Sequence, residues 1–421
     1  MQRQIALTVL SRTASTAINF LIAVIIARHA GPAVKGDVTL LVTITYFFIF
    51  FSNILGGQAL VYLIPRNKME LLIVPAYLWT VIVALVGFVV LRYTQLVQVN
   101  HLISITLLSL LSSVMNIHQT ILLAKNKIFF SNLITVVALL LQLVGISICF
   151  YAINIHNAYA YIYASLAAYL IATLFSFRLI KEQVVFTNFI KDYTWNEFKE
   201  SFKYGFLFQI TEVLQLLNLR YYFFQLGIQQ GAQYLGVYSV GISILEAVWI
   251  IPRSISSIQY VSTSNSNQLK AETEKTIRLF KLSFILSALV LVIIFAVPAS
   301  VYTFVFGEGF GKLRHSTRFL YPGILIYNFV LVVSSYYLGI GRYKQLIIAN
   351  LAGFLSMVVF SYFLLPPYVI SGAGLAATAS FTVAASVLFL LFIKDKNVSL
   401  SKFKLDREDW LILKKTFRFL G

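Results

Sequence analysis

Residues 231–265 read GAQYLGVYSVGISILEAVWIIPRSISSIQYVSTSN. The stretch is apolar enough and long enough to cross a bilayer, which takes about 20 residues of helix. It nevertheless carries Glu246, Pro252 and Arg253 near its middle. Charges inside hydrocarbon are costly and are kept mainly where they face protein or water, and a proline there frees backbone carbonyl groups. The stretch therefore predicts a helix that lines a polar path through a membrane.

The composition of the whole chain predicts an all-α, polytopic membrane protein. Of its 421 residues 59% are hydrophobic and only 11% are charged, and the mean hydropathy is +0.84. A soluble protein of this length needs a more polar surface, and a β-barrel shows short alternating segments instead of long apolar runs. We count about twelve candidate transmembrane helices, at 5–27, 38–62, 71–91, 102–123, 130–153, 158–178, 204–226, 236–261, 282–306, 319–340, 345–365 and 373–393.

The basic residues predict how these spans are oriented. Cytoplasmic loops carry an excess of Lys and Arg. With the N-terminus in the cytoplasm, most of the 33 Lys and Arg residues fall on the cytoplasmic side. The predicted outer loops hold few of them: Lys35, Arg92, Lys312, Arg314 and Arg318. We therefore expect both termini to be cytoplasmic.

The charge and the single cysteine exclude several classes of function. A formal charge of +18 can indicate a nucleic-acid partner, but basic cytoplasmic loops explain it, and we expect no nucleic acid. Cys149 alone cannot form a disulfide framework or a zinc site of the CxxC kind. Because no phosphate-binding or metal-binding motif is present, we predict no cofactor and no metal. We also assign no chemistry to His118 or Gln142, since a lone histidine in an apolar helix more often makes a packing hydrogen bond.

Two glycine pairs indicate an internal repeat. Gly31 and Gly36 frame GPAVKG, and Gly231 and Gly236 frame GAQYLG, 200 residues later. Each frame separates two long apolar segments. A fixed offset close to half the chain length is typical of transporters built from two similar halves. The sequence therefore predicts two pseudo-symmetric bundles of six helices each, at 1–181 and 204–393.

Two polar segments outside the spans predict amphipathic helices on the cytoplasmic side. The linker 182–203 has an apolar face of Trp195, Phe198 and Phe202. The tail 394–421 has Asp406 as a possible helix cap, followed by an apolar face and several basic residues. We expect both segments to lie on the membrane interface, and docking of a partner is the alternative.

Five charged residues lie within the predicted spans. The acids are Glu212 and Glu246, and the bases are Arg12, Arg220 and Arg253. Arg12 and Glu212 are at similar depth in equivalent helices, and Glu246 and Arg253 are seven residues apart, on one helical face. Either these residues form ion pairs that hold helices together, or they line a hydrated cationic cavity. For the set as a whole we favour the cavity, with Glu212 and Glu246 in coupling or gating.

Four sequence segments resemble one transporter family. They are LGVYSVGISILEAVWIIPRSIS (235–256), SRTASTAINFLIAVIIARHAGPAVKGDVTLL (11–41), LLPPYVISGAGLAATASF (364–381) and VFGEGF (305–310). Their order and spacing resemble the polysaccharide transporters of the multidrug/oligosaccharidyl-lipid/polysaccharide (MOP) flippase superfamily. Within it, the chain looks like the Wzx-type flippases of O-antigen and capsule repeats.

The resemblance implies a flippase in the bacterial cytoplasmic membrane and not an enzyme. Two bundles would form a V around a central cavity, through which undecaprenyl-pyrophosphate-linked oligosaccharides reach the outer leaflet by alternating access. Membrane lipids and other polysaccharide-assembly membrane proteins are the implied partners. The family's cationic cavity residues map to Arg12, Arg220 and Arg253, with Arg28 at the exit. We add Asn19, Asn53 and Gln58 as polar groups suited to sugar hydroxyls.

Three other functions remain open at this point. A drug/cation antiporter of the same fold usually carries an acid in its first helix, where this chain has Arg12. A lipid II flippase would share the cationic cavity. A polysaccharide polymerase or ligase generally needs a large outer loop, and no predicted loop here is large.

Overall fold

The computed structural model describes residues 2–64, 69–97, 99–125, 127–181, 195–264, 268–311, 313–406 and 409. Most of these residues are helical, and no strand occurs among them. They form two compact units, Met1–Val213 and Leu214–Gly421. The predicted all-α architecture is thus confirmed for the described residues.

The first unit is a bundle of long helices. Its helices are α1 (Gln2–Gly56), α2 (Gln58–Leu63), α3 (Met69–Thr94), α4 (Leu102–Ala124), α5 (Ile128–Tyr151), α6 (Ala158–Lys181) and the start of α7 (Trp195–Gln230). Apolar side chains from α1 to α6 pack into two clusters. One is centred on Ile117 and Ile134, and the other on Ile26 and Ile146, all of them buried.

The second unit takes up α7 and continues with a second set of helices. These are α8 (Ala232–Glu246), α9 (Ile250–Ser264), α10 (Leu269–Ala296), α11 (Ala299–Phe306), α12 (Leu313–Thr317), α13 (Tyr321–Gly339) and α14 (Tyr343–Lys396). Buried aromatic rings hold its centre together. Trp249 packs against Tyr327 and Phe381, with ring centroids 5.1 and 5.9 Å apart.

Nine helical segments of the described chain are long and apolar enough to cross a membrane. Two of them are interrupted inside, α1 at Gly31 and α14 at Val369, so that each covers two of the predicted spans. The seventh predicted span, 204–226, lies within α7, which is not among the nine. A twelve-helix arrangement of two bundles in a V therefore stays a prediction.

The paired glycines occupy matching places in the two units. Gly31 interrupts α1 and Gly231 separates α7 from α8. Their φ angles are +78° and +91°, a conformation that only glycine adopts without strain, and an added Cβ would meet nothing within 4 Å at either position. The backbone conformation, and not space, therefore requires glycine at both junctions. This agreement supports the internal repeat, whose superposition stays a prediction.

The stretch 231–265 is a broken helix, as its sequence indicates. Glu246 ends α8, a 3₁₀ turn covers Ala247–Trp249, and α9 begins at Ile250. Pro252 lies in the first turn of α9, where its missing N–H removes no helical hydrogen bond. The buried Trp249 indole donates to the Ile324 carbonyl at 2.9 Å and fastens the break to α13. Because a 3₁₀ turn advances about 120° per residue instead of about 100°, its three residues add about 60° of rotation, which shifts Arg253 from about −20° to about +40° relative to Glu246.

Buried polar side chains join helices of the first unit. Nδ1 of His118 lies 2.6 Å from Oγ of Ser176, and the Gln142 amide donates to Oγ of Ser165 at 2.6 Å. These contacts connect α4 and α5 to α6. The interpretation of His118 as a packing residue is confirmed by this buried hydrogen bond.

The chain beyond α14 folds back onto α10. Lys281 of α10 donates to Oδ2 of Asp409 at 2.6 Å and to the Lys404 carbonyl at 2.8 Å, and both charged side chains are only 5% exposed. The backbone N–H of Asp409 donates to Oδ1 of Asp406 at 2.9 Å and that of Asp406 donates to Oδ2 of Asp409 at 3.0 Å, a reciprocal pairing of the capping-box kind. The predicted apolar face of the tail, beyond residue 409, lies outside the described residues.

Candidate functional site

Two of the predicted site residues form an ion pair inside the second unit. The two terminal nitrogens of Arg220, on α7, donate to the two carboxylate oxygens of Glu246 at 2.7 and 2.8 Å. The side chains are 19% and 17% exposed. Two parallel charge-assisted hydrogen bonds make this the strongest geometry that an arginine–carboxylate pair adopts.

The surroundings of Arg220 hold its guanidinium in place. The guanidinium carbon lies 5.0 Å from the centroid of the Phe223 ring, one helical turn further along α7. A cation over an aromatic face gains electrostatic energy, more so where water is scarce. The result is a preorganised fork that presents two donors side by side. Such a fork matches any planar or tetrahedral anion that offers two oxygens, including a phosphate.

Arg253 is exposed on α9, the helix after the break. Its guanidinium carbon lies 5.7 Å from the centroid of the Trp249 ring. Because Trp249 is itself anchored to α13, the arginine stem is supported by a fixed surface. The Trp–Arg contact is therefore one of several places in this unit where a cation is held by an aromatic ring.

The predicted site residues of the first unit lie along α1 and α2. Asn19 and Arg28 are exposed, and Asn53 is partly buried close to the end of α1. The backbone carbonyl of Asn53 accepts a hydrogen bond from the N–H of Gly57 at 3.0 Å, where α1 gives way to α2. The side chains of Arg12 and Gln58 lie outside the described part of the structure. Glu212, on α7, is partly buried.

A buried polar cluster on α7 was missed at the sequence level. Asn218 and Ser380 are fully buried and hydrogen-bonded to each other, and Ser380 also donates to the Gly353 carbonyl at 2.8 Å. A Cβ on Gly353 would lie 2.4 Å from the Asn218 amide nitrogen. The cluster therefore packs α7 tightly against both parts of α14. The sequence signal that could have revealed this cluster is the presence of small residues, such as Gly353 and Ser380, which allow membrane helices to pack closely.

The similarity of this chain to known proteins lies in its fold and not in its sequence. The sequence matches no protein-family profile and no curated protein sequence. Solved structures do match. A multidrug resistance MATE family transporter of the MOP superfamily, in an inward-facing conformation, is 15% identical with a TM-score of 0.71, over 91% of this chain and 94% of that one. The lipid II flippase MurJ, inward closed, is 15% identical with a TM-score of 0.69, over 98% and 96% of the two chains.

This chain has the MOP superfamily fold. A third relative, a MOP superfamily transporter from Pyrococcus furiosus described as having a binding pocket of reversed polarity, is 16% identical with a TM-score of 0.64, over 96% of both chains. Identities this low establish the fold alone. The chain thus shares its fold with these transporters, and it is a multi-pass membrane protein. The Wzx-type assignment stays a prediction.

Proposed function

We propose that this protein is a flippase of the bacterial cytoplasmic membrane. It moves undecaprenyl-pyrophosphate-linked oligosaccharide repeat units to the outer leaflet by alternating access, with an ion gradient as the source of energy. The observation that carries the proposal is the two-pronged pair of Arg220 and Glu246 within a flippase-type fold. The relatives of this fold include a lipid II flippase, whose substrate class is also lipid-linked.

The pair suggests how the pyrophosphate binds. The two carboxylate oxygens of Glu246 occupy the positions that two oxygens of a phosphate group would take on Arg220. An incoming pyrophosphate competes with Glu246 for the same fork. Once displaced, the carboxylate loses its counter-charge and takes up a proton or a cation. Headgroup binding and ion binding are thereby linked at one site.

A second pair, Arg12 with Glu212, could exchange partners in the same way and so open or close the cytoplasmic side of the path. Arg12 and Glu212 lie at similar depth on helices that are equivalent in the repeat. We propose that they pair when the cytoplasmic side closes and separate when the substrate headgroup arrives. A Glu212→Gln variant, present at the normal level in the membrane, is then expected to lose surface polysaccharide. Normal surface polysaccharide from that variant would show that Glu212 has a static structural role and no role in gating.

The main rival is a drug/cation antiporter of the same fold, since one of the similar structures is a multidrug resistance MATE family transporter. A cation site needs an unpaired acid within reach of the drug. Here the first helix carries Arg12 where drug/cation antiporters usually carry an acid, and Glu246 is neutralised by Arg220. An enzyme is the less favoured rival, because the outer connections are short.

Reconstituted liposomes separate these functions. The purified protein is placed in vesicles with a fluorescently labelled undecaprenyl pyrophosphate oligosaccharide, and dithionite quenching reports label that reaches the outer leaflet. We expect translocation by the wild type and a rate about tenfold to a hundredfold lower for Arg220→Gln, since two hydrogen bonds to a charged group are lost. Arg318→Gln is the matched control, because Arg318 also lies over an aromatic ring, 4.6 Å from Phe319, in an outer segment.

Two results would contradict the proposal. One is a wild-type protein that does not translocate the labelled lipid but accumulates ethidium in the same vesicles. The other is an Arg220→Gln variant that translocates as fast as the Arg318→Gln control.

A further inference from the structure

A groove runs along the second unit between α7 and the first part of α14. Its volume is about 250 Å³, and it is open to one side. It is lined by Tyr221, Gln225, Val358, Val359, Tyr362 and Phe363. Its lining is mostly apolar, with a few polar groups from α7, a mixture that is typical of sites for small organic ligands.

The polar wall of the groove is a ladder of side chains at helical spacing. The Gln229 amide donates to Oε1 of Gln225 at 2.9 Å, and the Gln225 amide donates to the Tyr221 hydroxyl at 2.8 Å. Each glutamine uses one N–H in this ladder and has a second, and the Tyr221 hydroxyl has a proton of its own to donate. The ladder thus presents three donors along two turns of α7: those of Tyr221 and Gln225 line the groove, and that of Gln229 lies beyond the lining.

This ladder is unexpected on a helix surface that faces lipid. Polar side chains within membrane helices almost always face the protein interior or water. Gln229 is exposed, and Tyr221 and Gln225 are partly exposed. An acyl or isoprenoid chain would give these donors no acceptor. The ladder therefore favours a ligand that carries oxygen atoms.

The opposite wall is aromatic. Tyr362 and Phe363 on α14 are 72% and 66% exposed, so their rings are available for contact. The Tyr221 ring is fixed by an edge-on contact with Phe354, with ring centroids 5.6 Å apart. Aromatic faces on one wall and amide and hydroxyl donors on the other match a sugar ring, whose faces are C–H groups and whose rim is hydroxyl oxygen.

The groove begins one residue along α7 from the phosphate site of the proposed function, and the side chains of Arg220 and Tyr221 project from that helix about 100° apart. Tyr221 directly follows Arg220 in α7, and Gln225 and Gln229 lie about 7.5 and 13.5 Å further along the helix axis. In a lipid-linked oligosaccharide the first sugar is bonded directly to the pyrophosphate. We propose that this groove is a saccharide subsite, which holds a sugar of the substrate while Arg220 holds its phosphate. The inference rests on the proposed function and names the part of the substrate that the groove selects.

Binding measurements in nanodiscs test the subsite with three probes. They are undecaprenyl pyrophosphate without sugar, the same lipid with one hexose, and the same lipid with one N-acetylhexosamine. We expect the wild-type protein to bind at least one sugar-bearing probe about tenfold more tightly than the sugarless lipid. Tyr362→Ala and Gln225→Leu should each remove at least about fivefold of this difference and leave sugarless binding unchanged, since each deletes a contact made only to sugar. Leu355→Ala, an exposed residue two turns before Tyr362 and outside the groove lining, is the control.

The outcomes separate the two proposals. Equal affinity for all three probes, or a sugar preference that survives both groove variants, overturns the subsite and leaves the flippase intact. Failure of the wild type to bind even the sugarless lipid overturns the flippase and the subsite with it. Arg220→Gln should weaken all three probes by the same factor, because it removes the phosphate contact alone.

The nature of the groove can also be tested without any substrate. A Phe363→Trp variant adds a fluorophore in the groove wall to the four native tryptophans of the full chain in nanodiscs, and its signal is the difference from the wild type. We expect strong quenching by aqueous acrylamide and weak quenching by brominated phospholipid. Strong quenching by the brominated lipid would mean that acyl chains fill the groove, and the saccharide subsite would be wrong.

Discussion

Removal of either partner of the Arg220–Glu246 pair should destabilise the second unit, and removal of both should not. Exposed ion pairs contribute about 0.5 kcal/mol, whereas breaking a fully buried pair costs about 3–5 kcal/mol. With side chains 19% and 17% exposed and two short hydrogen bonds, this pair falls between these limits. We therefore expect Glu246→Met to cost about 2 kcal/mol. For a unit of about 200 residues this lowers the melting temperature by about 4–8 °C.

The two single variants should differ. In Arg220→Met the stranded carboxylate can take up a proton and become neutral, whereas in Glu246→Met the stranded guanidinium cannot lose its charge. Arg220→Met should therefore cost less, about 1 kcal/mol. In the double variant two apolar side chains replace the pair, which commonly restores most of the stability.

Thermal unfolding in detergent, followed by tryptophan fluorescence, measures all four proteins. Transport in the liposome assay then separates structure from function, because the double variant should melt near the wild-type temperature and still fail to translocate. The reasoning would be refuted if the effects of the two single variants simply added in the double variant. It would equally be refuted if the double variant transported at the wild-type rate.

Three further changes test other features of the fold by melting temperature. Lys281→Met should cost about 3 kcal/mol, because it leaves Asp409 buried without its cation, and unchanged melting would show that the folded-back tail adds no stability. Val369→Gly should raise stability by about 1 kcal/mol, because a β-branched residue at φ +49° is strained and glycine is not; a lower melting temperature would disprove the strain. Gly31→Ala and Gly231→Ala should each cost about 1–2 kcal/mol through the positive φ alone, and neutral substitutions would contradict the conformational requirement.

Much of the fold was predictable from local sequence properties. Long apolar runs predict helices of a membrane protein, since hydropathy and length are read directly along the chain. The helix junctions were predictable where a residue type demands them. Gly31 and Gly231 carry the positive φ that the repeat suggests, and the break near Pro252 follows from proline chemistry. The exact place of that break, at Ala247–Trp249, depends on the anchoring of Trp249 to α13.

The candidate site was only partly predictable. The sequence identifies Arg220 and Glu246 as costly charges within apolar spans, but it does not identify them as partners, and it places Arg253 on the helical face of Glu246. The buried contact of Asn218 with Ser380 joins residues 162 positions apart and has no local signal. The same holds for the groove, whose walls come from α7 and α14.

The sequence by itself determined that this chain is a multi-pass helical membrane protein, that glycines end helices at Gly31 and Gly231, and which charges sit in apolar surroundings, because each of these follows from residue types and spacing along one segment. Only the tertiary structure decided that Glu246 pairs with Arg220 and that an amide ladder faces aromatic rings across a groove. Contacts between helices depend on helix rotation and closeness of approach. Those are set by turns such as Ala247–Trp249 and by packing at residues such as Gly353, which no single segment encodes.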